Sequence, residues 1–445
     1  MPTTSYHPTP VRSRHRPARC AGALAAVALL ASGGSGAAQE AGSRPTAERK
    51  TAADAPRAAP VVKPPAASPA PAPEPGRKAN ADDDDWNKAG PVNRTPRVSG
   101  ALMASFRWTS FAEHRLPDGS RVEDSNTFQL EHSHLKVSGD LSEKLSWEVM
   151  PCLTHMNDFS VVTANFVYTL NPLLQATFGR FLLPFGQFNL RSLPGSYGTV
   201  SRPLLYSSHE DGPVRPDPRV PGNFLFTPRD DTGLGLSGSV WLGAGDAVQV
   251  SYNLYLTNGL RAVSDQPGRF WDDNNKGKQP GGRVGVSYHG TPLTLSAAAS
   301  LLVNRYEDEH DQRAWAVDAV ASYQYATARR ITVRGEYADM TREIQPTAVL
   351  LQGDEQTKGA YVTVEANLTE AWGVYYQFDT LTARSPTAQL NQGFRDQKVT
   401  TNRHVGGISV VLDEYLQVRA EYGLWLMPLG LPDAHRLAVQ TVVTF

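Results

Sequence analysis

From Val98 to Phe445 the chain alternates. Between Tyr415 and Trp425, Leu416, Val418, Ala420, Tyr422 and Leu424 fall on one face, and Gln417, Arg419, Glu421 and Gly423 on the other. Val248, Val250, Tyr252, Leu254 and Leu256 alternate in the same way with Gln249, Ser251, Asn253, Tyr255 and Thr257. Trp372, Val374, Tyr376 and Phe378 alternate with Gly373, Tyr375, Gln377 and Asp379. A period of two means β-strands. It predicts sixteen of them, over 98–110, 126–139, 143–155, 161–170, 173–181, 232–242, 246–257, 282–289, 293–303, 314–326, 330–340, 358–369, 371–383, 402–412, 414–425 and 435–445.

The connections alternate as well, short with long. Short ones include Leu141-Ser142, Asn171-Pro172, Gly243-Ala244-Gly245 and Gly290-Thr291-Pro292. Long ones cover 111–125, 182–231, 258–281, 304–313, 341–357, 384–401 and 426–434. A sandwich or propeller has no reason to gather its short turns at one end. An outer-membrane barrel does, because its periplasmic turns are tight and its external loops long. The expected fold is therefore an all-β transmembrane antiparallel barrel of about sixteen strands, with both termini on the periplasmic side. Aromatic rings are expected in two interfacial belts: Trp108 and Trp425 at the loop ends, and Trp241, Trp372 and Phe445 at the turn ends. The alternating last strand closing on Phe445 resembles that of outer-membrane barrel proteins, whose assembly machinery reads that end. Lipid bilayer and assembly machinery are the partners this implies.

Composition narrows the picture. No apolar run reaches the ~18 residues of a membrane helix. Mean hydropathy is −0.37, which a barrel tolerates because only every second residue meets lipid. The 43 Lys+Arg against 44 Asp+Glu exclude a general basic nucleic-acid surface. Two cysteines exclude a disulfide scaffold and a Cys-rich zinc framework. Arg12, Arg14, Arg16 and Arg19 precede an apolar stretch from Cys20 to Ala31 and small residues ending at Ala38, so residues 1–38 read as a secretory signal peptide. Cys152 is then a lone cysteine, expected as a small core or wall residue. Residues 39–97, rich in Pro and Ala, read as a disordered periplasmic linker, and Asp82 to Asp85 as a solvated charge run. Residues 98–445 are the barrel.

The longest connection, 182–231, follows the fifth strand. In sixteen-stranded porins the third external loop, at this position, folds into the lumen. The run Gly179-Arg180-Phe181-Leu182-Leu183-Pro184-Phe185-Gly186-Gln187-Phe188, with Ser201-Arg202-Pro203-Leu204 downstream, resembles the signature region of the phosphate-selective porin O/P-like family. Phe128 to Leu145 resembles that family's early hairpin. The resemblance implies an outer-membrane, homotrimeric diffusion channel for small hydrophilic solutes or ions, anions such as phosphate among them. This chain departs from the family's ladder of inward arginines. Its alternation puts Arg107, Arg283, Arg334, Arg403 and Arg419 toward the lumen together with Glu131, Glu148, Asp318, Glu336, Glu365, Asp379 and Glu421. That is a mixed wall, which gives no ground for phosphate selectivity. The loop adds Arg191, Arg202, Arg215, Arg219 and Arg229 against Glu210, Asp211, Asp217, Asp230 and Asp231. Either these charges face one another across an eyelet or they pair outside the pore. Arg180 and Arg202 are the candidates for the constriction.

Other constellations compete for attention. His132-Ser133-His134 puts two imidazoles on one face, compatible with a metal, yet no third ligand is evident. Their phase conflicts too: Phe128 and Leu130 share their face while Leu135 and Val137 take the other, as a bulge or an interface position would give. His209-Glu210-Asp211 and Glu309-His310-Asp311 offer hydrolase parts without a nucleophile held beside a base. The expectation is a porin, not an enzyme, with no cofactor and no resident metal. The alternatives are an outer-membrane barrel hydrolase and a non-conducting barrel for adhesion or envelope structure.

Overall fold

A computed structural model describes residues 95–445 apart from 116–118, 120, 156–157, 194, 207–229, 244–246, 260–275, 307–309, 345–352, 390–392 and 429–430. The expected signal peptide and nearly all of the expected linker lie outside the described residues.

Sixteen strands follow in order: β1 (Arg97–Phe111), β2 (Ser125–Asp140), β3 (Leu145–His155), β4 (Asp158–Asn171), β5 (Leu174–Leu182), β6 (Asp230–Leu242), β7 (Val248–Thr257) and β8 (Gln279–His289), then β9 (Leu293–Tyr306), β10 (His310–Ala326), β11 (Arg329–Ile344), β12 (Gly353–Asn367), β13 (Trp372–Gln389), β14 (Gly393–Asp413), β15 (Leu416–Leu426) and β16 (Ala434–Thr444). Each pairs antiparallel with its neighbours in sequence, and β1 pairs with β16 to close the barrel. Closure uses Gly100: its N–H donates to the Phe445 carbonyl at 2.8 Å and its carbonyl accepts from the Phe445 N–H at 3.1 Å. A side chain there would run into the Phe445 ring. No helix among the described residues is long and apolar enough to cross a membrane.

The alternation sorts as expected. Along β16, Arg436, Ala438, Gln440 and Val442 are buried inside, while Leu437 and Val439 are exposed outside. The outer rows are mostly apolar, with Phe166 and Phe178, Leu254 and Leu256, Val284 and Val286, and Trp315 and Val317 all exposed. Such a surface suits lipid, not water.

Three departures have physical causes. The β13–β14 ladder runs on to Gln389 and Gly393, so most of the expected 384–401 loop is a projecting hairpin. An antiparallel pair needs only its own backbone hydrogen bonds to continue, so the ladder extends past the expected strand ends. Trp425 is no belt residue: it shares the inward row of Arg419 and Glu421, is 4% exposed, and lies between Arg403 and Arg436, whose guanidinium carbons sit 4.8 and 5.6 Å from its ring centroid. Two cations on an aromatic face hold it inside. Trp241 leaves the belt as well. It pairs with Gln249 on the inward phase and meets the His289 ring at 5.0 Å at the turn-side mouth. Trp108 and Trp372 are exposed on outer rows.

The phase conflict around His132 resolves as a bulge. Met103 pairs with His132 but Ala104 pairs with Leu130, leaving Glu131 as the extra residue. Phe128 and Leu130 thus face out and His132 and His134 face in.

Val317 lies midway along β10 on the outer face. Val317→Arg is expected to destabilise the barrel by roughly 2–4 kcal/mol in a bilayer, read from denaturant titration of folding into vesicles. An unchanged titration would mean that this face does not meet lipid.

Candidate functional site

The lumen is shaped by the connection between β5 and β6. At its base Arg180, on β5, forms an ion pair with Asp230, the first residue of β6. From there residues 183–206 turn inward. The sequence provides three means of holding them.

Apolar burial is one. Leu183, Phe185, Phe188, Tyr197, Leu204, Leu205 and Tyr206 are buried against Ala314, Ala316, Ala338, Met340, Tyr361, Leu381 and Ala383 of β10–β13. The wall is built small to receive them. A Cβ on Gly359 would lie 2.6 Å from Leu205 and 2.7 Å from Leu381. Each large apolar side chain removed from water contributes about 1.5–3 kcal/mol.

Tight local turns are another. Gly186 has φ +64°, and a Cβ there would fall on the Glu336 carboxylate and the Tyr206 hydroxyl. This is why the Pro184-Phe185-Gly186 run ends in glycine. Asn189 donates to the Leu183 carbonyl at 2.7 Å, and the Ser192 hydroxyl to the Asn189 carbonyl at 2.8 Å.

The third hold is electrostatic. Glu336 on β11 accepts from the N–H groups of Gln187 and Phe188 at 3.0 and 3.2 Å, from the Tyr361 hydroxyl at 3.2 Å and from the Tyr206 hydroxyl. Glu421 on β15 accepts from the N–H groups of Val200 and Ser201 at 2.9 and 3.0 Å, from the Tyr375 hydroxyl at 3.1 Å and from the Ser201 hydroxyl. Asp379 on β13 accepts from the Leu204 N–H at 3.1 Å and holds Arg403 in a fully buried ion pair at 2.8 Å. Arg403 also donates to the Arg202 carbonyl, and Arg419 to the Thr199 carbonyl at 3.1 Å. Burial, then the Glu336 charge, pushes the Tyr206 hydroxyl well above its ordinary range, so it remains a donor.

The structure therefore gives the wall charges a use that alternation alone does not reveal. Glu336 and Glu421 are consumed in anchoring the loop, and neither lines open space. Arg107 pairs with Glu131 at 2.7 Å, Arg283 with Asp318 (Nη2 to Oδ1, 2.8 Å) and Arg334 with Glu365 at 2.7 Å. Arg419 is buried beneath the loop. Arg202 stands inside the barrel with its guanidinium against the His132 ring. Arg180 does not join this group. The ladder sets it opposite Ala164 and Thr232, on the row of the exposed Phe166 and Phe178, and it clasps the two stems of the loop. An alternation count misses this because nothing in it links Arg180 to a residue fifty positions away. Arg215, Arg219, Arg229, His209, Glu210, Asp211 and Asp217 lie outside the described residues, as does Glu309. Asp311 pairs with Arg305 at 3.2 Å and with Arg313 at 3.7 Å.

The loop packs chiefly on β9–β16, and also meets β2 through Arg202 on His132 and β3–β4 through Leu193 on the cluster of Met150, Cys152 and Val162. On the β2–β7 side an open space of about 360 Å³ is bordered by Lys136, Ser146, Glu148, Asn165, Thr177 and Asn253 together with Trp147, Phe181, Pro184 and Leu190. Lys136 and Glu148 pair across it at 2.6 Å and keep partial exposure. Arg191, from the loop, donates to the Ser196 carbonyl at 2.9 Å. Burial and then the nearby Arg334 charge lower its pKa, with Glu365 opposing, so like charges gather there.

No family model matches the chain, and no curated protein does. Among solved structures, OprB of Pseudomonas putida superposes with a TM-score of 0.53 at 10% identity, over 79% of this chain and 94% of that one. The outer membrane channel DcaP of Acinetobacter baumannii and an anion-selective porin from Comamonas acidovorans each reach 0.49 over 79% of this chain, covering 97% and 99% of theirs at 10% and 11% identity. The likeness to OprB is one of fold. It is the sixteen-stranded closed barrel.

The two anchors are separable by hydrogen exchange. Glu336→Ala is expected to deprotect the amides of Gln187 and Phe188, and Glu421→Ala those of Val200 and Ser201. Loss of a charged acceptor costs about 1–3 kcal/mol, so each pair should exchange roughly tenfold to a hundredfold faster. Equal protection in both variants would remove the carboxylates from the account.

Proposed function

We propose that the protein is an outer-membrane porin, a passive diffusion channel for small hydrophilic solutes or ions, narrowed by the inward part of the 182–231 loop. The observation that carries this reading is the loop itself: a closed barrel with an apolar exterior holds an ordered segment within its lumen and keeps an open space beside it, with Lys136, Glu148 and Asn165 on its border. Pore width then follows from the loop, and ion preference from the charges beside the remaining space. Export by the N-terminal signal peptide and assembly as a homotrimer belong to the same proposal.

Strict phosphate selectivity is not part of it. The lumen arginines sit on β1, β8, β11, β14, β15 and β16, and most are matched by acids. A modest anion preference is, because Arg191 and Arg334 lie together with Glu365 as their shared acid. The reading has no catalytic step and no cofactor: Glu336 and Glu421 are engaged by loop amides and tyrosines, and Glu131, Asp318 and Glu365 by arginines.

Planar-bilayer recording tests this. Purified protein is expected to give discrete, near-ohmic conductance steps, and in a salt gradient the reversal potential should shift toward cations in Arg191→Ala. Silent bilayers would overturn the channel. An unmoved potential would overturn the role of Arg191.

A further inference from the structure

The bulge at Glu131 turns His132 and His134 into the lumen wall, where the register pairs His134 with Cys152 of β3. A third ligand, missing from the local sequence, is thereby supplied from twenty residues away. All three side chains are buried, at 8%, 4% and 1% exposure. One ligand atom from each lies within 4.8 Å of the others, and the His132 Nδ1 is 3.8 Å from the Cys152 Sγ. Metal bonds of ~2.0 Å to nitrogen and ~2.3 Å to sulfur in a tetrahedron place such atoms roughly 3.5 Å apart, so small side-chain rotations close the set. Met150 and Val162 pack about Cys152 and keep its surroundings apolar.

We propose that His132, His134 and Cys152 form a binding site for one borderline-soft divalent cation, of which Zn²⁺ is the type. The donor set is two imidazoles and a thiolate, with the fourth position taken by water. On binding, a metal–sulfur bond forms, the Cys152 S–H bond breaks and its proton passes to solvent.

Arg202 makes the site conditional. Its guanidinium contacts the His132 Nε2, which must then present a lone pair, leaving the proton on Nδ1 toward Cys152. A metal on Nδ1 reverses that tautomer and puts the proton on Nε2, facing the guanidinium donors. Metal occupancy and the Arg202–His132 contact therefore exclude each other. Metal entry from the lumen swings Arg202 away from the wall. This makes no use of the channel reading: the site is a property of the folded barrel whether or not it conducts.

The test is metal titration of the full chain folded in detergent, with folding checked by heat-modifiable migration. ZnCl₂ is expected to bind at one equivalent, and CoCl₂ to give a thiolate-to-cobalt charge-transfer band. Cys152→Ser and His134→Gln should each weaken binding at least tenfold, and Cys152→Ser should abolish the band. Arg202→Ala should tighten binding about tenfold by removing the competing cation. Wild type without a stoichiometric site, or binding unchanged in both ligand variants, overturns the site. Unchanged or weaker binding in Arg202→Ala overturns the exclusion.

Discussion

Everything in this molecule depends on closing a hydrogen-bonded ladder onto itself. In hydrocarbon an unpaired backbone N–H or carbonyl has no water to turn to, so a sheet survives there only without edges. Gly100 and Phe445 complete that closure between β1 and β16. Once the ladder is closed, the period of two does the rest: one row of every strand must be apolar for lipid, and the other is released for use inside.

What the inner rows are used for is mostly holding a loop. A backbone segment taken into a barrel carries N–H groups that need acceptors, and neutral partners would satisfy them weakly. Carboxylates are stronger acceptors and their own burial is offset by several donors at once. Glu336, Glu421 and Asp379 each serve in this way, two of them with tyrosine hydroxyls in addition. The loop and the wall charges are thus one device. The small residues of β10–β13 and Gly359 give it room, and Gly186 lets it turn.

The strands, their count and the inward placement of Arg107, Arg283, Arg334, Arg419, Glu336 and Glu421 were legible because alternation is local. Their partners were not. Glu336 reaches residues 149 positions away and Glu421 residues 221 away. Neither distance leaves a trace in a window of ten. Trp425 lies near a strand end, where a belt residue is expected, but its row, shared with Arg419 and Glu421, faces inward. Arg180 looked like a constriction residue for its motif and is a clasp because of its register. The His132 conflict was the useful kind: two incompatible phases in one strand, reconciled by a single extra residue, Glu131.

The central claim is that wall carboxylates keep residues 183–206 inside the barrel and so set the width of the passage. Single-channel conductance of a Glu336→Ala/Glu421→Ala double variant, beside wild type under the same salt, tests it most directly. Released from both anchors, the loop should leave part of the lumen, giving larger and noisier steps. Steps of wild-type size and steadiness, from a variant that still folds into a heat-modifiable barrel, would contradict it.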